Sequence, residues 1–506
     1  MNSSRPRRLL QSEVSVLWLF ALCVVLLDMA VNHRYGFHRD ELLTYTNARH
    51  LDWGFEVYPP ITAVLARIEL ALFGTALSGF RFFASVAHGL VVALTGLTAR
   101  AMGGRRTAML TAAAAAAIGG SVLFCGAFFS YMTFDLLWWV ATAWGVAHLL
   151  RSENPRWFLA IGTFIGLGLE TKYTMLIFAA GVLLGLLLTP NRRYLRSPWF
   201  WAGVAIAVLL VLPNALWEFH HNFLGVTWAR SIHSRDVAWG WTDYFLLGQL
   251  WKVTNPVTIP LWFAGLWFLF ATREGKPYRT IGWMYVVPLV ILFAVRGRDY
   301  YLSPAYPMLL AAGAVWGERW ADSLSPHART RVLRGTSITL AVSGLVVASL
   351  VLPIAPLGTA WWRAADATNG NFNMEIGWPE LVKTVAEVRD TLPAADRARL
   401  GILAADEGQT GAVNLYGPTY GLPQAISGMN SNWLRGYGNP PPQTVIALGL
   451  KQDFLERNFQ SCTWAAHIAA PYGIRNMTVS YQPEIFVCRN LLKPWPEFWK
   501  RYQYYG

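Results

Sequence analysis

Apolar runs of membrane-spanning length recur from Val16 to about Ile354 and then stop. A transmembrane helix needs roughly 20 predominantly apolar residues. That length predicts about eleven spans, at roughly 14–32, 81–99, 106–123, 134–150, 157–171, 174–189, 199–216, 246–270, 280–296, 301–317 and 335–354. The fifth is short. The first follows a basic start, as a signal peptide does. Its apolar run is long for one, and no small-x-small cleavage site follows, so an uncleaved first span is expected. Between Arg39 and about Phe80 no full span fits. There "DELLTYTNARHLDWGFEVYPPITAVLARIELALFG" keeps a helical period but is broken by Pro59 and Pro60. Proline lacks the N–H and clashes with the preceding turn. Two short interfacial helices at about 40–76 are expected, one on each side of the prolines, with a re-entrant segment or a missed span as the alternative.

After Trp361 the pattern changes. A helical stretch, "WPELVKTVAEVRDTL", precedes strand-like runs "ARLGILAAD", "QTVIALGL" and "EIFVCRN", as in a small α/β domain. The predicted fold class is a polytopic α-helical membrane protein with a C-terminal α/β domain. Its membrane domain covers 1–357, with the interfacial helices, and its soluble domain 358–506.

Charge sets the orientation. The chain is 54% hydrophobic and only 14% charged, against roughly a quarter charged in soluble proteins. Its net charge of +13 comes in short clusters between apolar runs, the habit of cytoplasmic loops rather than of a nucleic-acid-binding face. Arg5, Arg7 and Arg8 precede span one. Further clusters follow spans two (Arg100, Arg105, Arg106), four (Arg151, Arg156), six (Arg192, Arg193, Arg196), eight (Arg273, Lys276, Arg279) and ten (Arg319, Arg329, Arg331, Arg334). With eleven spans all fall on one side, which the positive-inside rule makes cytoplasmic. The N-terminus is then cytoplasmic. The C-terminal domain is then expected on the outer side of the membrane, where a Cys462–Cys488 disulfide is permitted. Cys23 and Cys125 sit in apolar segments and read as packing residues.

The outer side collects a different set. It holds Asp40 and Glu41 after the first span, Asp135 at the start of the fourth, and Glu170 and Lys172 between the fifth and sixth. It also holds Glu218, His220 and His221 in "WEFHH", and Arg298, Asp299 and Tyr301 in "RGRDYYLSPAYP". Charges near a membrane are costly and are kept where they are paired or functional. Loops far apart in sequence thus bring carboxylates, histidines and cations to one face.

These stretches carry a family resemblance. The Asp-Glu pair after span one, "YPPITAVL", "GFRFFASVAHGL", "FDLLWW", "GLGLETKY" and "DYYLSPAYPMLL" together resemble the glycosyltransferase family 39-like proteins. Those are bacterial relatives of the protein O-mannosyltransferases and of the lipid A aminoarabinose transferase, all with the GT-C architecture. "AVNLYGPTYGLPQAISGMNSNW" resembles the C-terminal region of bacterial members. The resemblance implies transfer of a sugar from a polyprenyl-phosphate donor to an acceptor hydroxyl of a lipid, glycan or protein, at the periplasmic face. It implies Asp40 as catalytic base and Asp135 as a second acidic site. It permits a divalent metal without requiring one. One departure stands out: relatives often carry Lys or His before the two prolines, where this chain has Tyr58.

The residues themselves fit such chemistry. An acceptor hydroxyl needs a base as it attacks the anomeric carbon, and Asp40 is the candidate, although an Asp before "ELLTY" is also a good N-cap. Glu41 either orients Asp40 or contacts sugar, or merely complements the helix N-terminus; Asp135 is equally an N-cap by position. The departing phosphate gains charge and calls for cations. Arg81, Lys172 and Arg298 are candidates, with Tyr301 and Tyr58 beside them; Arg81 is alternatively a snorkelling residue. Glu218, His220 and His221 are weak metal candidates, because the usual helical spacing of paired ligands is missing. No glycine-rich nucleotide loop occurs, which disfavours a nucleotide-sugar donor. A transporter or flippase is the alternative class; it would place ionisable groups near the midplane and show internal repeats. A membrane assembly protein with an outer binding module is a third.

Overall fold

The computed structural model describes residues 4–506, with side chains over 13–476 and 479–506. The Arg5, Arg7 and Arg8 side chains lie outside the described residues. The chain divides into two compact units. The first comprises Met1–Asn32, Arg81–His220 and His233–Leu352; the second comprises His33–Phe80, His221–Ile232 and Pro353–Gly506.

The first unit is helical, and each predicted span falls on a helix or on a bent pair of helices. Among the described residues, five helices are long and apolar enough to span alone: Glu13–Val31, Phe82–Ala101, Pro198–His220, Lys276–Ala294 and Pro326–Val351. Three bent pairs raise this to eight. The remaining predicted spans fall on Tyr131–Ser152, Trp157–Leu169 and Tyr306–Asp322. Two expectations need correcting. The run at 106–123 is Arg106–Ala117 and Gly120–Gly126, bent by 71°, and the run at 246–270 is not one continuous helix but Phe245–Trp251 and Pro256–Ala271, bent by 92°. Pro256 cannot continue a helix. Asn255 accepts from the Val257 N–H at 3.1 Å and starts the chain afresh. Small residues let helices touch, as in other membrane bundles: a Cβ on Gly265 or on Gly313 would collide with the backbone of the opposite helix. Inside the bundle Trp139 stacks on Phe178 with ring centroids 4.2 Å apart.

The second unit is built on a five-stranded mixed sheet. Its strands are β1 (Leu400–Ala404), β2 (Ala425–Ile426), β3 (Thr444–Leu448), β4 (Phe459–His467) and β5 (Glu484–Leu491), in the order β2-β1-β3-β5-β4. β1 is parallel to β2 and β3; β5 runs antiparallel to β3 and β4. The three predicted strands are β1, β3 and β5. The edge strand β4 was not legible as a strand, because it lacks a buried alternating face. In its register Cys462 stands opposite Cys488, and the two are joined as a disulfide. The predicted helix forms over Trp378–Thr391 and buries Leu381, Val382, Val385 and Val388.

Helices do flank the two prolines, at Arg39–Arg49 and Ile61–Phe73. They differ in environment. Ile61–Phe73 leaves Val64, Ile68 and Leu72 exposed. Arg39–Arg49 is buried from Glu41 to Ala48, against the Glu407–Tyr416 helix. Gly411 makes that contact close, since a Cβ there would collide with the Leu42 carbonyl. Arg39 Nη2 reaches Glu407 Oε1 at 3.0 Å. Burial, with Asp40 and Asp406 nearby, pushes the Glu407 carboxyl up to about 7 in spite of Arg39.

Two outcomes follow from these contacts. The denatured, unreduced protein should titrate two thiols, Cys23 and Cys125, and four after reduction; four without reductant would remove the disulfide. For Glu407 the folded state holds its proton above the unfolded value of about 4.3. The stability this adds is complete below that value and is lost as pH rises through about 7. Thermal unfolding between pH 5 and 8 should therefore show a steeper loss of stability in the wild type than in Glu407→Gln, and equal slopes would contradict it.

Candidate functional site

The site residues read from the sequence fall into two groups, one in each unit. In the second unit the group begins with the cap of the Arg39–Arg49 helix. The N-cap is His38, not Asp40: His38 Nδ1 accepts from the Asp40 N–H at 3.1 Å. Glu41 Oε2 in turn accepts from the His38 N–H at 2.8 Å, which satisfies a donor that a helix start otherwise leaves open. Glu41 is fully buried. Asp40 is left with its side chain 35% exposed and Arg39 Nε 3.5 Å from its carboxylate. Burial opposes the charge on Arg39, but Glu407 and Asp40 together outweigh it and keep the guanidinium more basic than usual.

Two helical turns further on, Asn47 donates to the Tyr58 hydroxyl at 2.8 Å. That hydroxyl donates to Thr44 Oγ1 at 3.1 Å. Burial raises its pKa to about 12, so Tyr58 is a neutral donor at physiological pH. Asn47 is held from the other end by Arg435, whose guanidinium also donates to Asn432. Burial lowers Arg435 to about 10, only partly offset by Tyr58 and Glu56. Among the described residues no carboxylate lies within ion-pair distance of Arg435. A cation therefore does stand beside Tyr58, supplied from the loop after β2.

In the first unit Lys172 is the centre. Its ammonium faces the rings of Tyr301, Tyr131 and Tyr300, at 4.3, 5.3 and 5.5 Å from their centroids. Its nearest carboxylate oxygen, Asp135 Oδ2, is 4.0 Å away, too far for a hydrogen bond. Asp135 is not an N-cap. Ser130 caps the Tyr131–Ser152 helix, and Asp135 faces inward. It accepts from Trp139 Nε1 and Thr174 Oγ1, each at 3.0 Å. Arg298 is engaged bidentately by Asp236, at 2.5 and 2.6 Å, and lies over Trp241. That pairing shapes the "RGRDYY" loop that carries Tyr300 and Tyr301.

Two expectations come out differently. Arg81 does not snorkel: it is wholly buried and donates to the Asn32 carbonyl. Near it Asp28 and His88 form a buried pair at 2.7 Å. Glu218, His220 and His221 do not assemble as metal ligands. Glu218 turns inward to accept from the Tyr173 hydroxyl at 3.2 Å, whereas the next turn carries His220 into the open. Among the described residues no group of three His, Cys, Asp or Glu side chains is placed to hold a metal ion.

Sequence reasoning missed Glu407, Arg435, Asn47 and Asp236. "ADEGQTG" does show a helix start, with Asp406 and Gln409 forming a capping box. Nothing local couples Glu407 to Arg39 or Arg435 to Asn47, since those partners lie hundreds of residues apart in the chain.

Comparison with known proteins agrees with this architecture. The family model described as dolichyl-phosphate-mannose-protein mannosyltransferase matches residues 57–217. The lipid A galacturonosyltransferase RgtD of Rhizobium johnstonii is 25% identical over 334 residues, 63% of this chain and 66% of that protein. The chain thus matches just under two thirds of that relative's length. The fold is similar to that of ArnT from Cupriavidus metallidurans. The apo crystal structure superposes with a TM-score of 0.56 at 14% identity, over 94% of this chain and 98% of that one. The form bound to undecaprenyl phosphate gives 0.52, also at 14%, over 96% and 98%. The family match thus covers residues 57–217, and the likeness to ArnT is one of fold.

Proposed function

We propose that the protein transfers a sugar from a polyprenyl-phosphate donor to the hydroxyl of a lipid-borne saccharide, at the periplasmic face of the bacterial inner membrane. The match of residues 57–217 to the mannosyltransferase family model supports the reaction class. A relative named for lipid A supports a glycolipid acceptor. The Cys462–Cys488 disulfide supports an oxidising compartment for the second unit.

One observation carries the assignment of the base. Of the Asp40–Glu41 pair, Glu41 is consumed in the cap of its own helix, while the Asp40 carboxylate makes no capping bond and is partly open to solvent. In the proposed step the acceptor oxygen bonds to the anomeric carbon as the bond from that carbon to the phosphate oxygen breaks. The acceptor proton passes to Asp40. The bonding pair leaves on the phosphate, which departs as a monoester with added negative charge. A base so placed is worth about 10²–10⁴ in rate.

Lys172 is proposed to receive that added charge. Its tyrosine surroundings stabilise an ammonium by roughly 0.5–2 kcal/mol per ring without neutralising it, and Asp135 holds it by charge alone. Asp135 is then a positioning residue, and Arg298, spent on Asp236, shapes the loop. Arg435 is proposed as a second cation, in the role that a Lys or His before the prolines has in relatives. No step is assigned to a metal.

The test uses full-length protein in lipid nanodiscs. Undecaprenyl phosphate galacturonate and undecaprenyl phosphate mannose serve as donors, lipid A as acceptor, with the product read by mass spectrometry. Asp40→Asn should lower kcat by about 10²–10⁴ with donor affinity unchanged. Lys172→Met should lower kcat and weaken undecaprenyl phosphate binding about tenfold or more. Wild-type turnover by Asp40→Asn would remove it from the base role.

A further inference from the structure

The second unit contains a cavity of about 240 Å³ that the proposed transfer does not use. It lies between the Ala360–Asn369 helix and the 471–475 turn, and Trp362, Arg363, Asp366, Asn373, Tyr472 and Arg475 line it. Its volume is below the roughly 300–1,000 Å³ of drug-sized sites, which suits a single sugar ring with one substituent.

Its polar groups are incompletely used. Trp362 is only 5% exposed, yet among the described residues its indole N–H has no partner, and the same holds for the buried Asn373 Oδ1. A buried polar atom left unpaired costs about 1–3 kcal/mol. Here one is a donor and the other an acceptor. A simple anion could serve only the donor; a hydroxyl can serve both. Arg363 donates to the Gly358 carbonyl at 2.9 Å. Among the described residues neither Arg363 nor Arg475 has a carboxylate within ion-pair distance, and one Asp366 oxygen is already taken by the Asn373 N–H at 3.0 Å. Two guanidiniums against one carboxylate leave the lining positive. Tyr472 stands at the rim, 71% exposed, with φ 58°. A bulky side chain in the left-handed region is strained, and such strain concentrates at ligand sites. Its ring offers a flat apolar face beside the cations.

We propose that this cavity is a binding site for a sugar phosphate, with Arg363 and Arg475 on the phosphate and Trp362, Asn373 and Asp366 on the sugar hydroxyls. The same chemistry is offered by a free sugar phosphate and by the headgroup of a phosphorylated glycolipid.

Binding is read directly, without transfer, so a failure of the transferase reading leaves this proposal standing. Calorimetry on the full-length protein in detergent should show saturable binding of glucose 1-phosphate, and at least tenfold weaker binding of glucose or inorganic phosphate. The double variant Arg363→Ala/Arg475→Ala should weaken glucose 1-phosphate about 30-fold or more. Trp362→Phe, which keeps the bulk and removes the N–H, should weaken it about three- to tenfold. Repeating the titration in nanodiscs with and without lipid A separates the sources. Displacement of glucose 1-phosphate by lipid A identifies a lipid-borne ligand, and undiminished binding identifies a free one. Absence of binding, equal affinity for inorganic phosphate, or wild-type affinity in the double arginine variant would each overturn the proposal.

Discussion

The second unit depends on the seating of one short helix. Arg39–Arg49 follows directly on the first span, yet it is buried like a core element. Two features seat it against Glu407–Tyr416: the close backbone approach that Gly411 allows and the Arg39–Glu407 ion pair at 3.0 Å. Neither suffices alone. A glycine contact gives proximity but no direction, and a buried pair recovers its desolvation only where geometry is tight. Together they set the rotation of the helix. That rotation turns Glu41 inward to its cap and leaves Asp40 open. The chemistry proposed for Asp40 therefore rests on a contact between segments more than 350 residues apart.

The first unit handles charge differently. Lys172 is not neutralised by a close carboxylate. It is surrounded by tyrosine faces, with Asp135 at 4.0 Å. Rings stabilise a cation without consuming its charge, whereas the bidentate bond between Arg298 and Asp236 spends both partners. The two cations are close in the outer-loop set read from the sequence, but only one remains available to an anion. Arg435 follows the logic of Lys172, held by amide oxygens rather than by a carboxylate.

Much of this was legible in one dimension. Apolar run length located the spans of the bundle, because spanning a bilayer imposes a length on the sequence itself. Pro59 and Pro60 separated the two short helices, and a β-branched, apolar pattern marked three of five strands. The failures share a cause. Asp40 looked like an N-cap because capping preference is a property of residue type, while His38 won the position through its own geometry. The 246–270 run looked continuous because hydropathy does not register a bend at Asn255–Pro256. Arg81 looked like a snorkelling residue because depth of burial depends on neighbours that the local sequence does not contain.

The sequence by itself determined the class: a helical membrane protein with an α/β domain, and a short set of acidic and cationic residues from which any site must be drawn. These follow from solvent transfer and backbone stereochemistry, which act on each segment separately. Only the tertiary structure decided which of those charges are spent and which are left to act. Pairing is a property of distance in space: Glu407 and Arg435 reach their partners across hundreds of residues, and Asp236 across 62, with no local trace of the contact.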